Sequence, residues 1–571
     1  MFKNTIQKFS KPMDRFKIHY SKTNQLSLKT LEESFKPTHE DARYEYNPFH
    51  ISNLQNYNPV HAEFFELNEK NRDRIAFNHR FHIKDLTTVI DSQNKSETNK
   101  PIFIKYSPLL DPLRFMIGKY VLSDPKTRTL PSGENSNATI AKLASYHNSS
   151  YVDNFFCYLN SQMLYSHRVA NCLDYYGSFL GVQQKYKMNI VDDLEYVSSS
   201  SFFKENLGKH FAVNHERHSN NYKNFGSRGH KLKLNISSNV LDIDAVALDE
   251  ELLVESVGSN EELGELVYEQ TKKTSTSSSG SSHSSNNSEV NYSSEEDDND
   301  GEESWSTESD DDSFDSDEPA DEDDEYVSAY INDFPIQMIC LEKCDGTLDE
   351  LFMKNQINEA NGSAILMQII MTLLLFQRAF RFTHNDLHTN NIMFVNTDEE
   401  FIFYKFENQV YKVPTYGKIF KIIDFGRAIY RFEGRIFCSD SFATGGDAAT
   451  QYNCEPFLNE NKPRLEPNYS FDLSRLGTSI YDFVIDDDDE NILDDFQKTI
   501  KRWCSDDNGK NVLYKKNGED RYPNFKLYKM ISRTVHKHTP ENQLKFKYFN
   551  QYRTKSTSKK IIDLDSIPVY A

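Results

Sequence analysis

Glycine is absent from the first 117 residues of this 571-residue chain, and only 21 occur in all. That absence excludes a phosphate-covering G-x-G-x-x-G loop anywhere ahead of Gly118. The seven cysteines (157, 172, 340, 344, 438, 454 and 504) are odd in number and include no C-x-x-C unit, so neither a disulfide scaffold nor a structural zinc site fits. A reduced intracellular protein is expected. Long apolar runs are also missing: the longest, Ala364 to Phe376, has 13 residues and contains Gln368 and Thr372, which suits a buried helix rather than a membrane span. The opening MFKNTIQKFSKPMDRF has no apolar h-region, so no secretory signal is expected. Finally, Lys and Arg are absent from Glu289 to Glu325, a stretch that holds 20 Asp and Glu.

That last absence explains the formal charge of −22: outside the stretch, 67 acids face 65 bases. A nearly neutral protein with one acidic segment is not a generally basic nucleic-acid binder, and direct nucleic-acid binding is not expected. With 37% apolar and 13% aromatic residues, most of the chain can bury a core, which rules out collagen and coiled coil. Composition divides the chain into a polar, glycine-free extension of unclear role (1–98), a first globular part (99–182), a partly structured insertion (183–270), a Ser-rich and acidic segment too polar to pack (271–330), and a long globular remainder (331–571). Within these, Pro101–Tyr106 reads as a short strand ending in lysine. Residues 150–166 have apolar residues at helical spacing, Val169–Val182 reads as a strand and turn, Pro335–Cys344 as a strand, and Gly362–Phe380 as a helix.

The chemistry is concentrated in FTHNDLHTNNIMFV (382–395) and KIIDFGRAI (421–429). The first sets His384, Asp386 and Asn391 as H-x-D-x-x-x-x-N in a loop entering a strand; the second sets Asp424-Phe425-Gly426 after an apolar strand. Phosphoryl transfer needs little covalent help, but it does need a carboxylate at the attacking hydroxyl and oxygen ligands for magnesium. Here Asp386 supplies the first, and Asn391 and Asp424 the second.

Together these segments resemble the catalytic loop and D-F-G motif of protein kinases. Lys105 ends IFIK, similar to the V-A-I-K strand whose lysine holds the α and β phosphates. Met338–Thr347 (MICLEKCDGT) resembles the hinge between two kinase lobes, which would place Leu341 at the gatekeeper position and present backbone groups of Glu342 and Cys344 to adenine. In FDLSRLG (471–477), similar to D-x-W-S-x-G, Asp472 would brace the catalytic loop. With IFIKYSPLLDP before and YPNFKLYKMISRTVHKHTP after, the set looks like the serine/threonine kinases of poxviruses and giant DNA viruses of amoebae. The resemblance covers 100–182 and 331–571. It implies an α+β, two-lobed protein-kinase-like fold with a large insertion in the N-lobe and a disordered acidic Ser-rich segment. It also implies ATP and Mg²⁺ or Mn²⁺ as cofactors, Ser/Thr-bearing protein substrates, and a virion or host-cytoplasm location; the serines interleaved with acids over 293–318 suit either the chain itself as a further substrate or a solvated linker.

Four positions depart from the kinase pattern. No glycine loop precedes Lys105; either another segment covers the phosphates or Gly177-Ser-Phe-Leu-Gly181 has moved into that role, although that stretch also reads as a strand. The glutamate expected on the helix is missing, leaving Asp153 or Gln162 as partner for Lys105. Asn385 replaces the H-R-D arginine, so activation need not depend on a phosphorylated loop. His388 replaces the lysine two residues after the base and would contact the γ-phosphate, which implies a pH-sensitive rate. A weak pseudokinase or scaffold and a small-molecule phosphotransferase are the alternative readings. A zinc site from His210, His215, His218 and His230, and a substrate-selecting role for the acidic run 486–490, are weaker expectations.

Overall fold

A computed structural model describes residues 13–22, 26–133, 138–214, 327–485, 493–556 and 558–571. The acidic tract, three of the four histidines (215, 218 and 230) and the run 486–490 lie outside these residues. Among the described residues the protein is mixed α/β with several sheets.

The main sheet is antiparallel and built from segments far apart in sequence. Strand β1 (Ile51–Gln55) is followed by β2 (Ile102–Pro108), helix α1 (Ser149–Ser166), β3 (Tyr175–Asn189), the short β4 (Phe211–Val213) and β5 (Ser328–Glu342). Their order across the sheet is β1-β3-β5-β2, with β4 pairing the N-terminal end of β5. Ile339 of β5 lies opposite Lys105 of β2. Strands β3 and β5 are direct neighbours, with Ser328 opposite Asn189.

Two boundaries differ from expectation. The strand expected over 169–182 is β3, which starts at Tyr175 and runs on to Asn189, because its outer half pairs with a β5 that begins at Ser328, ahead of Pro335. The glycine-free N-terminal stretch supplies β1, which pairs with β3. Gly181 permits that pairing: a Cβ there would lie 2.2 Å from the Ile51 side chain. Gly177 and Gly181 thus sit inside a paired strand and form no loop.

Helix α1 starts at the Asn148 side chain, which accepts from the Ser150 amide at 3.0 Å. Its N-terminal end is fixed beside β2 by a 2.8 Å bond between the hydroxyls of Ser150 and Ser107. Helix α2 (Glu359–Phe380) is apolar on all sides and is therefore a core helix. It is the only described helix long and apolar enough to cross a membrane, and 94% of its apolar window is buried inside the protein. After it come β6 (Ile392–Asn396) and β7 (Lys418–Ile422), paired to each other. Helices α3 (Phe471–Val484), α4 (Asp495–Trp503) and α5 (Lys526–Thr534) follow. Phe156 of α1 ties these parts together: its ring stacks on Phe382 at 4.4 Å and packs at 4.6 Å from Phe425, all three fully buried. All seven cysteines are buried and free.

Candidate functional site

Strand β2, helix α1 and the loop after β7 bring three charges together. The Lys105 ammonium lies 2.7 Å from Asp153 Oδ2 and 2.8 Å from Asp424 Oδ1. Burial opposes the charge on Lys105, but the two carboxylates outweigh it and hold the ammonium strongly protonated. Asp153 is therefore the partner that the sequence left open. Its second oxygen accepts the Phe425 amide at 2.9 Å, so one side chain fixes both the lysine and the D-F-G turn. Gln162 instead reaches back to the Asn78 carbonyl at 3.4 Å. Asp424 takes a left-handed backbone (φ +61°), and its side chain is 45% exposed. Burial would raise its carboxyl, but Lys105 holds it down at about 2.

The loop between α2 and β6 is folded by its own side chains and by α3. Asp472, fully buried in the first turn of α3, accepts the amides of His384 and Asn385, each at 2.9 Å. Burial raises its carboxyl, partly offset by His384 and those two amides. His384 accepts from the Asp386 amide (3.3 Å) and donates through Nε2 to the Ile423 carbonyl (2.9 Å), which sets its tautomer and links the loop to the residue before Asp424. The Asn391 side-chain amide donates to the Asp386 carbonyl at 2.9 Å.

Asn385, in a left-handed conformation at φ +63°, is buried. It donates to the Arg427 carbonyl at 3.0 Å and accepts from the Tyr452 hydroxyl at 2.8 Å. A neutral amide thereby joins the loop to the segment that follows Asp424. A second link is acidic: Asp440 accepts the Ser149 amide at 3.1 Å and pairs with Lys142 at 2.5 Å, which docks the segment against the start of α1.

Asp386 is surrounded by cations. Arg427 Nη1 is 3.8 Å from Oδ2, and the Tyr528 hydroxyl donates to Oδ1 at 2.7 Å. Burial acts to raise this carboxyl, but Arg427, Arg475 and the Tyr528 hydrogen bond outweigh it and keep it ionised. Burial and Arg475 bring the His388 imidazole down to about 4, so it is neutral at pH 7. Tyr528, Arg475 and Arg427 escaped the sequence reading. Tyr528 lies 142 residues from its partner, and no local pattern connects them.

In the strand that pairs with β2, Leu341 is buried and lies opposite Phe103 in the β2–β5 register. The Glu342 carboxylate is engaged by Lys421 at 2.7 Å and its amide by the Asp174 carbonyl at 3.1 Å. The Cys344 amide has no partner among the described residues.

Asp424 Oδ2 and Asn391 Oδ1 likewise have no protein partner among the described residues, and both are hard oxygen donors suited to magnesium. Two protein oxygens would suffice only if phosphate oxygens completed the shell; among the described residues no group of three His, Cys, Asp or Glu could hold a metal alone. A cavity of about 810 Å³ lined by His167, Arg168, Phe403 and Lys560 includes none of these residues. The arrangement offers a held ammonium, two metal-type oxygens and an ionised carboxylate with one oxygen facing Arg427. No family model and no curated protein matches the chain.

Proposed function

We propose that this protein is an ATP-dependent serine/threonine protein kinase of the poxvirus and giant-virus type, with the main sheet and the helical remainder as its two lobes. The observation that carries the reading is the convergence of Lys105, Asp153 and Asp424 within 2.8 Å, alongside a loop in which Asn391 bonds the backbone of Asp386. Lys105 would hold the α and β phosphates, Asn391 and Asp424 would ligate Mg²⁺ or Mn²⁺, and the Cys344 amide would meet adenine beside Leu341. The bound metal supplies charge neutralisation on the β and γ phosphates. Asp386 orients the acceptor hydroxyl and takes its proton as the oxygen attacks the γ-phosphorus and ADP leaves.

The neutral Asn385–Tyr452 link and the Asp440 contact support activity without a phosphorylated activation segment. A virion or host-cytoplasm location and viral protein substrates follow only from the resemblance. Purified protein incubated with labelled ATP, casein and a panel of small alcohols and amines tests the reading. Label in casein that depends on Asp386 supports it; label in a small molecule moves the chain to the small-molecule phosphotransferases, and none anywhere makes it a scaffold.

His388 carries a separate expectation. Its pKa is lowered to about 4 by burial and Arg475, and a γ-phosphate bound beside it would shift it back toward the ordinary 6.5. Wild-type enzyme then loses the imidazolium, and its pull on the γ-phosphate, as pH rises from about 4 through 6.5. His388→Lys keeps its charge over that window. The ratio of mutant to wild-type kcat should climb with pH, and a flat ratio would remove His388 from phosphate contact.

A further inference from the structure

We propose that Tyr528 is a positioning residue for Asp386, the last link of a relay that runs from Arg475 of α3 through the Tyr528 hydroxyl of α5 to one carboxylate oxygen. The inference rests on the kinase reading and deepens it.

The geometry is specific. Arg475 Nε donates to Tyr528 Oη at 2.8 Å, and Tyr528 Oη donates to Asp386 Oδ1 at 2.7 Å. The Arg475 guanidinium also lies 5.0 Å from the centre of the tyrosine ring, and that of Arg427 lies 5.7 Å from it. Phe525 stacks on the same ring at 5.3 Å. The ring is thus clamped on its faces, and its hydroxyl has one donor and one acceptor, both used.

A carboxylate without such a clamp can rotate about its χ2 torsion, which is broad for aspartate. With Oδ1 tied to Tyr528, the plane of the group is set. Oδ2 is left for the acceptor, 3.8 Å from an Arg427 guanidinium that is itself paired to Asp447. The hydroxyl donates rather than accepts, so it cannot take the acceptor's proton from Asp386; its role is to aim the base. In a reaction where a misplacement of about 1 Å costs on the order of 100-fold, aim is a large share of the rate. The alternative use of the same contact is a block, with Tyr528 filling the place of the acceptor hydroxyl.

Steady-state kinetics of full-length Tyr528→Phe separate these. The substitution keeps the ring, its stacking and both cation contacts, and removes only the hydroxyl. The expected result is a kcat about 10-fold below wild type, with the KM for ATP unchanged and a thermal midpoint lowered by no more than a few degrees. Arg475→Lys, which retains a donor near Tyr528, should lose less kcat than Arg475→Met. An unchanged kcat in Tyr528→Phe, or a loss confined to the KM for ATP, overturns the relay. A raised kcat overturns it in favour of the block. Wild-type protein that transfers no phosphate at all overturns the kinase reading first and the relay with it.

Discussion

Asp386→Asn is expected to lower phosphate transfer by about 100- to 10,000-fold, the range attributable to a positioned acid or base. The variant is suited to isolating chemistry from folding. Asparagine has the same shape, and its carbonyl oxygen can still accept the 2.7 Å bond from the Tyr528 hydroxyl. Its amino group then points toward Arg427 and the acceptor site, where it offers donors against donors. Lys105, Asn391 and Asp424 are untouched, because the bond from Asn391 goes to the backbone carbonyl of residue 386. Nucleotide binding should therefore persist. Two measurements check this together: kcat on casein, and stabilisation of the thermal midpoint by Mg–ADP. The expected pattern is a lost kcat with a retained ADP shift. A variant that keeps more than about a tenth of wild-type kcat would take the base role away from Asp386.

The site residues that were legible in sequence are those whose geometry is local. In H-x-D-x-x-x-x-N the loop closes on itself, since Asn391 bonds the carbonyl of Asp386 and His384 bonds the Asp386 amide; eight residues carry their own shape. Asp472 was legible as a brace only through the resemblance of FDLSRLG to D-x-W-S-x-G; it accepts two amides of the 384–391 loop, and the N-cap of α3 is Ser470 instead. Asp153 was legible only as one of two options. The choice depends on where α1 sits along β2, and the Ser107–Ser150 bond sets that. Asp153 follows one turn after that anchor, whereas Gln162 lies nine residues, or about 13 Å of helix, further on.

What stayed hidden is long-range pairing. Strand β1 has a burial pattern without clean alternation, and nothing in ISNLQ announces that Gly181 will admit it to the edge of β3. Tyr528 sits in a helix whose residues show an ordinary amphipathic pattern, and its hydroxyl acquires meaning only when α3 and the 384–391 loop are placed beside it. The cationic surroundings of Asp386 arise in the same way, from residues 41 and 89 positions downstream. The fold thereby changes what the sequence says about His388: a histidine in place of a lysine suggests a shared phosphate role, but burial and Arg475 hold it neutral at pH 7.

Asp153→Ala is expected to cost about 3 kcal/mol of stability and most of the activity. Removing one member of a buried ion pair is worth about 3–5 kcal/mol because the other is left uncompensated. The lower figure applies since Lys105 keeps Asp424 as a partner and is 26% exposed. The Phe425 amide also loses its acceptor, in a position packed against Phe156 where water has little access. The functional loss has a different origin. With Asp153 gone, Lys105 closes on Asp424 alone and competes with magnesium for that carboxylate, so the concentration of Mg²⁺ needed for half-maximal rate should rise. A graded series separates the two effects. Asp153→Asn can still accept the Phe425 amide but offers no charge to Lys105, and should recover stability ahead of activity. Asp153→Glu restores the charge in a site filled to 2% exposure, at an overpacking cost of about 1–3 kcal/mol, and should recover activity ahead of stability. Urea denaturation and Mg²⁺ titration of the three variants would show those opposite orders. Variants that rank alike in both measurements would mean that Asp153 acts only as packing, and that Lys105 is held well enough by Asp424 alone.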